Sequence, residues 1–346
     1  MSNLEVEPRE TEVTCDAVEA GASPVQIIAP REVPLGGPRA MTVHRTLPSR
    51  ARTLIGAWCF VDHYGPSDVS VTGGMVVPPH PHTGLQTVSW LFEGEIEHRD
   101  SVGSHAFVRP GELNLMTAGH GISHSEVSTE ATSTLHGVQL WVALPEGSRE
   151  VDPFFENRTA EWADVGDGRV GVFLGELAGS RVDATTFTPL VAAEIVLPAG
   201  GRCELPLDAS FEYGVLVDAG PAFVAGTEVA RTELAYLGLG RDAVSLEAGV
   251  DAGAGGVRLL LIGGAPLDEH ILMWWNFVGR SHDEIVAYRA AWQHEAGLAP
   301  APALADRTAP DAAHPEPARF GATDHHFAGS PLPAPELPTV RLKPRT

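Results

Sequence analysis

Basic residues are scarce in this sequence: 23 Lys and Arg stand against 45 Asp and Glu, a formal charge of −22 at pH 7. Binding to a phosphate backbone needs a cationic face that displaces counterions, so nucleic acid is not expected as a direct ligand. Cysteine is scarcer still. Cys15, Cys59 and Cys203 lie far apart, which argues against a disulfide framework and for a reduced, cytoplasmic protein. The acidic start, MSNLEVEPRETEVTCDAVEAG, lacks the basic opening and apolar run of a secretory signal. No unbroken apolar stretch is long enough to span a bilayer, so no membrane is expected either. Helical periodicity is almost missing as well.

What is present is strand grammar, used twice. A chain of 346 residues exceeds one ordinary core and predicts two domains. From about Val25 to Phe154, short runs such as MTVHRTL, TVSWLF, HAFV, LNLM and GVQLWVAL are divided by Gly, Pro and Asp turns. After a bridging segment, PFFENRTAEW, the pattern returns from Val170 to Ile262 in VGVFLG, VAAEIVL, YGVLV, LAYLG and VRLLLIGG. Many short, evenly spaced strands favour a jelly roll or barrel, which also hides most strand edges. One helix stands out, over 281–294, where Ser281 and Glu284 make a capping box ahead of Ile285, Tyr288 and Trp292 at helical spacing. The expected division is an acidic extension over 1–24, one domain over 25–160, a second over 161–296, and a Pro/Ala-rich extended tail over 297–346.

Histidines are unevenly placed. Eight of fifteen fall from His63 to His136 and none between His136 and His270, so if the halves share a fold only the first can hold a histidine-ligated ion. PPHPH sets His80 and His82 either side of Pro81, and in an extended backbone residues i and i+2 share a face, so both imidazoles can converge on one point. Pro81 cannot donate a ladder hydrogen bond, which places the stretch at a strand start or edge. GELNLMTAGHGISHSE holds a second pair of the same spacing, His124 and Glu126. Three imidazoles and one carboxylate suit Fe(II), Mn(II), Ni(II), Cu(II) or Zn(II), whereas a structural zinc site usually recruits thiolates. Four protein donors on an ion that prefers six leave two positions for water, O₂ or a bidentate substrate. A lone strand histidine is more often a surface or hydrogen-bonded residue than a ligand, and His98, His105 and His136 are read that way. His63, in FVDHYGP, and His120 read as pocket or turn residues.

PPHPHTGLQTVSWLFEGEIEHRDS and PGELNLMTAGHGISHSE together resemble the signature of the pirins, a bicupin family of the cupin superfamily. Gly74, five residues, then His80-Pro81-His82 opens a first cupin motif, and Gly111, five residues, Thr117-Ala118-Gly119 and His124 resembles a modified second. The resemblance runs from about Val25 to the helix near Trp292. It implies two consecutive cupin barrels, all-β, with iron held in the first by His80, His82, His124 and Glu126 and a second barrel without metal. Thr83, Gln86 and His120 depart from residues frequent in the family, which leaves the ligand positions intact but alters charge near the pocket.

Other motifs carry less. GISHS lacks the final glycine of a nucleophile elbow, with Ser125 there and no helix following, which argues against a serine hydrolase. GLGRDA is followed by no helix and reads as a turn. His325 and His326 read as a solvated tail, and Trp90, Trp141 and Met116 as core or pocket wall. Two functions follow from the resemblance. One is an Fe(II)-dependent dioxygenase similar to the bacterial pirin-like quercetinases, taking a small aromatic or enolic substrate and O₂, with Glu126 as general base. The alternative is a non-catalytic, redox-responsive regulator that acts through a protein partner.

Overall fold

In the strand Val257–Gly264, Leu259 and Leu261 turn into one apolar cluster while Leu260 and Ile262 turn into another. That alternation explains why VRLLLIGG is apolar without interruption: the strand is buried on both faces. Leu190 and Ala192 against Val191 and Ala193 repeat the pattern in the paired strand Leu190–Leu197. The computed structural model from which this packing is read describes residues 11–13, 24–35, 41–70, 74–298, 318–323, 327 and 329–342.

Each half is a large sheet closed by a smaller one, the two-barrel, all-β architecture expected from the sequence. In the first half the order is Phe154–Thr159, Glu112–Thr117, Leu85–Glu93, Thr134–Ala143, Trp58–Asp68, Met41–Leu47, Arg31–Leu35, opposed by Val76–His82, Ile122–Ser128, Ile96–Asp100 and His105–Val108. In the second half, a sheet running from Glu161–Val165 through Gly168–Leu177, Leu190–Leu197, Val257–Gly264, Glu212–Ala219 and Leu234–Leu237 opposes Arg202–Pro206, Ala243–Ala248, Ala222–Val224 and Thr227–Val229. The PFFENRTAEW stretch is not a free bridge. Phe154–Thr159 edges the first large sheet and Glu161–Val165 edges the second.

Two N-terminal pieces cross between the halves. Gln26–Ile28 pairs with Leu234–Leu237 and joins the second barrel's large sheet. Thr11–Val13 pairs with Ile271–Trp274, which pairs in turn with Phe277–Gly279. The large sheets meet in one cluster that contains Trp58, Phe60, Trp90 and Trp141 from the first barrel and Phe173, Leu174, Leu216 and Leu260 from the second. Burying each such side chain stabilises by roughly 1.5–3 kcal/mol, so the barrels are fused rather than tethered.

The helix His282–Glu295 begins as its cap predicts, with Ser281 accepting from the Glu284 N–H. The reciprocal bond differs: Glu284 Oε2 accepts from the Arg280 N–H at 2.6 Å. Ile285, Tyr288 and Trp292 are its buried face. Described parts of the tail lie on the body without regular structure. Phe320, Ala334 and Leu342 join the helix cluster, and Glu295 accepts from the N–H groups of Arg319, Phe320 and Gly321. His325 and His326 lie outside the described residues.

Candidate metal centre

The two histidine pairs sit on neighbouring antiparallel strands. Val76–His82 pairs with Ile122–Ser128 in a register that sets His124 opposite His80, and an irregularity before Glu126 shifts its partner to Val77. Because i and i+2 share a face, His80 and His82 meet His124 inside the barrel. Ring centroids lie 5.1 Å apart for His80–His82, 4.3 Å for His80–His124 and 5.0 Å for His82–His124. One ring nitrogen from each falls within 4.8 Å of the others. A Glu126 carboxylate oxygen lies within the same distance of nitrogens on His124 and His98.

All four side chains are buried. His80 Nδ1 donates to the Pro78 carbonyl at 2.8 Å, which leaves the lone pair on Nε2. Asn276 lies beside the His82 ring, yet neither ring nitrogen of His82 has a hydrogen-bond partner among the described residues. His80 Nε2, His82 Nε2 and His124 Nε2 have no hydrogen-bond partner among the described residues. Buried polar atoms without partners are costly, and three imidazole nitrogens converging in this state fit a cation as the missing partner. Burial pushes the His80 imidazole down to about 4 and holds those of His82 and His124 well below their ordinary value. Neutral imidazole is the form that ligates.

The chain is similar along most of its length to proteins of one known family. The Pirin family profile matches residues 40–142, and that of the Pirin C-terminal cupin domain matches 192–296. A Pseudomonas aeruginosa protein provisionally named a quercetin 2,3-dioxygenase is 43% identical over 82% of this chain and 90% of its own length. The chain belongs to the pirin family. A pirin-like protein of Caulobacter vibrioides is 35% identical over 72% of this chain and 88% of its own. Among solved structures, quercetin 2,3-dioxygenase from Acinetobacter baumannii superposes with a TM-score of 0.80 at 35% identity, covering 92% of this chain and 98% of that one.

The departures from the pirin motif are tied to the frame. Thr83 Oγ1 donates to the carbonyls of Gly119 and His120, and Gln86 Nε2 donates to Thr117 Oγ1 and the Thr185 carbonyl. His120 is half-buried, 3.6 Å from Asp152, and its carbonyl also accepts from Arg319. His105 pairs with Glu97 at the surface, as a bland strand histidine should. GISHS and GLGRDA prove to be strand and turn, while Trp90, Trp141 and Met116 are buried, Trp141 with its indole 5.3 Å from the His82 ring.

His136 is the hydrogen-bonded strand residue expected, but its partner is remote, and His63 joins it rather than the candidate centre: the Nε2 atoms of His63 and His136 reach Asp218 Oδ1 of the second barrel at 2.6 and 2.5 Å. Arg258 Nη1 donates to Asp218 Oδ2 at 3.1 Å; burial pulls the Asp218 carboxyl up, but the His136 and His63 contacts outweigh it and hold Asp218 far below the usual carboxylate range. Two N–H donors on one oxygen and a guanidinium on the other make this a hydrogen-bonded latch between barrels. His98, read from the sequence as an ordinary strand residue, stands directly behind His124, its Nδ1 at 3.2 Å from His124 Nδ1.

The Trp274–Phe277 turn packs beside His82 and Thr83, with the Val278 N–H donating to the Thr83 carbonyl and a Cβ on Gly84 falling 2.1 Å from the Val278 carbonyl oxygen. Gly84, at φ +72°, is therefore glycine both for its backbone and for that approach.

Proposed function

We propose that the protein is a metal-dependent dioxygenase of the quercetin 2,3-dioxygenase type, acting with O₂ on a flavonol or enediol-like substrate in the cytoplasm. His80, His82, His124 and Glu126 would hold one divalent ion, Fe(II) before Mn(II), Ni(II), Cu(II) or Zn(II). The observation that carries the reading is the convergence of three buried, partnerless imidazole nitrogens beside a carboxylate. A bound ion would supply Lewis acidity toward the substrate oxygen and a route for electrons to O₂.

The remaining work falls to side chains of this chain. Glu126, within reach of His124 and His98, would take the substrate hydroxyl proton onto a carboxylate oxygen, since a carboxylate accepts where a neutral imidazole already committed to an ion does not. Burial, with the Glu126 charge added, pushes the Tyr64 phenol well above its ordinary value, so Tyr64 stays a proton donor inside the barrel. Trp141, stacked on Phe60 at 4.0 Å, gives an apolar wall that excludes water from the His82 side. The similarity to proteins named for quercetin dioxygenation supports this reading ahead of a purely regulatory one.

The test is O₂ uptake by Fe(II)-loaded protein given quercetin, with Glu126→Gln retaining the ion but losing turnover. Full metal occupancy with no O₂ consumed on any flavonol or enediol would overturn it.

A further inference from the structure

His98 and Asp100 are two residues apart on the strand Ile96–Asp100, which pairs with Ile122–Ser128 so that Asp100 faces His124 and His98 faces Glu126. Both are buried, while Glu97 and Arg99 between and beside them are half-exposed. They therefore share the barrel interior with the four proposed donors. His98 Nδ1 lies 3.2 Å from His124 Nδ1, His98 Nε2 lies 3.3 Å from Asp100 Oδ2, and the His98 ring is stacked on Phe155 at 4.6 Å. Asp100 Oδ1 accepts from the N–H groups of Val102 and Ser104 at 3.1 and 2.8 Å.

We propose that His98 and Asp100 are positioning residues that fix the metal-binding tautomer of His124. A carboxylate accepts hydrogen bonds, so Asp100 Oδ2 requires the proton of His98 on Nε2. Neutral His98 then presents a lone pair at Nδ1. That lone pair requires the proton of His124 on Nδ1, which leaves the His124 Nε2 lone pair aimed at His80 Nε2 and His82 Nε2. A carboxylate that touches none of the donors of the histidine cluster thus decides, through two imidazoles, which nitrogen of the third histidine faces the ion. The histidine cluster is held unevenly as a result. His80 is oriented by the Pro78 backbone carbonyl, which no substitution at that position removes, whereas His124 depends on side chains. An orienting partner behind a ligand is commonly worth about 10- to 100-fold in metal affinity. The inference takes its purpose from the proposed metal centre, but the tautomer is a property of the protein itself.

Asp100→Asn is the discriminating variant. Its Oδ1 can still serve Val102 and Ser104, which turns the amide Nδ2 toward His98 and makes it a donor where an acceptor stood. The chain of protons reverses, and His124 acquires a proton on Nε2. Histidine-selective ¹⁵N NMR of the metal-free protein, with His124 assigned by its loss in His124→Gln, should show Nδ1–H in the parent and Nε2–H in Asp100→Asn. Ni(II) affinity measured against a competing chelator should fall by about 10- to 100-fold. His98→Phe keeps the stack on Phe155 but removes both nitrogens, and should give a mixture of His124 tautomers with weakened Ni(II) binding. A parent-like His124 tautomer in Asp100→Asn, or unchanged Ni(II) affinity in it, would overturn the proposal. A parent protein that consumes no O₂ would sink the dioxygenase reading and leave the tautomer result standing.

Discussion

By sheet order, the small sheets of the two barrels correspond strand for strand, and their inward positions could hardly differ more. Where the first barrel carries His80 and His82, the second has Cys203 and Leu205; where the first has His124 and Glu126, the second has Leu246 and Ala248. His98 and Asp100 are matched by Ala222 and Val224. One backbone plan thus serves once as a packed aliphatic core and once as a donor cluster. Partnerless polar groups cost about 1–3 kcal/mol each, so the first barrel's interior works against its own stability in the metal-free state. Two features offset that. Val33, Val43, Tyr64, Val77 and Leu91 form an apolar floor at one end, and the whole large sheet leans on the second barrel.

The comparison breaks most completely at His124. His124→Ala should abolish stoichiometric metal binding and flavonol-dependent O₂ uptake, read by elemental analysis and an oxygen electrode, because it removes one of three converging nitrogens. The joint between barrels comes next. Asp218→Ala should destabilise by about 3–5 kcal/mol in denaturant melts, since it leaves two buried imidazoles without their shared acceptor and Arg258 with only Glu194 as ion-pair partner among the described residues. Loss of less than about 1 kcal/mol would mean that the Asp218 latch adds little to the other contacts between the barrels.

Leu246→Ala tests the second barrel as pure packing. A loss of about 2–5 kcal/mol with metal content unchanged is expected, and loss of metal would show that the interiors are coupled. The mildest effect is on pH. Folded metal-free protein keeps His80 neutral down to about 4, while an unfolded imidazole takes its proton near 6.5. The unfolded state therefore binds more protons in that window, and stability falls as pH drops from 6.5 to about 4. Hydrogen exchange should show protection lost first along Val76–His82 and Ile122–Ser128, with Arg202–Pro206 and Ala243–Ala248 following. Simultaneous loss in both sheets would make the two barrels one acid-sensitive unit.

The histidine pairs were legible because their geometry is local: alternation in an extended chain puts i and i+2 on one face whatever lies elsewhere. The same rule applied to His98-Arg99-Asp100, a third pair of that spacing, and weighing His98 as a lone residue concealed it. Asp218 was legible by no local rule. It reaches His63 across 155 positions of sequence, and only the packing of one large sheet on the other brings them together. The strand Gln26–Ile28 was hidden for the same reason, since a strand's own pattern says which face is buried but not which sheet will claim it. PFFENRTAEW looked like a connector because its charge masks alternation at two exposed sheet edges.

The donors and the turn beside them are made at different times. His80, His82, His124 and Glu126 all leave the ribosome well before Asn276 and Phe277, whose turn packs beside His82 and Thr83, and before Leu332, whose N–H ties the tail to the Pro79 carbonyl. A nascent chain therefore passes through a stage with its imidazoles made and that turn still unsynthesised. An ion taken up by the proposed centre can therefore enter before Asn276 and Leu332 are made, with no opening of the finished protein required.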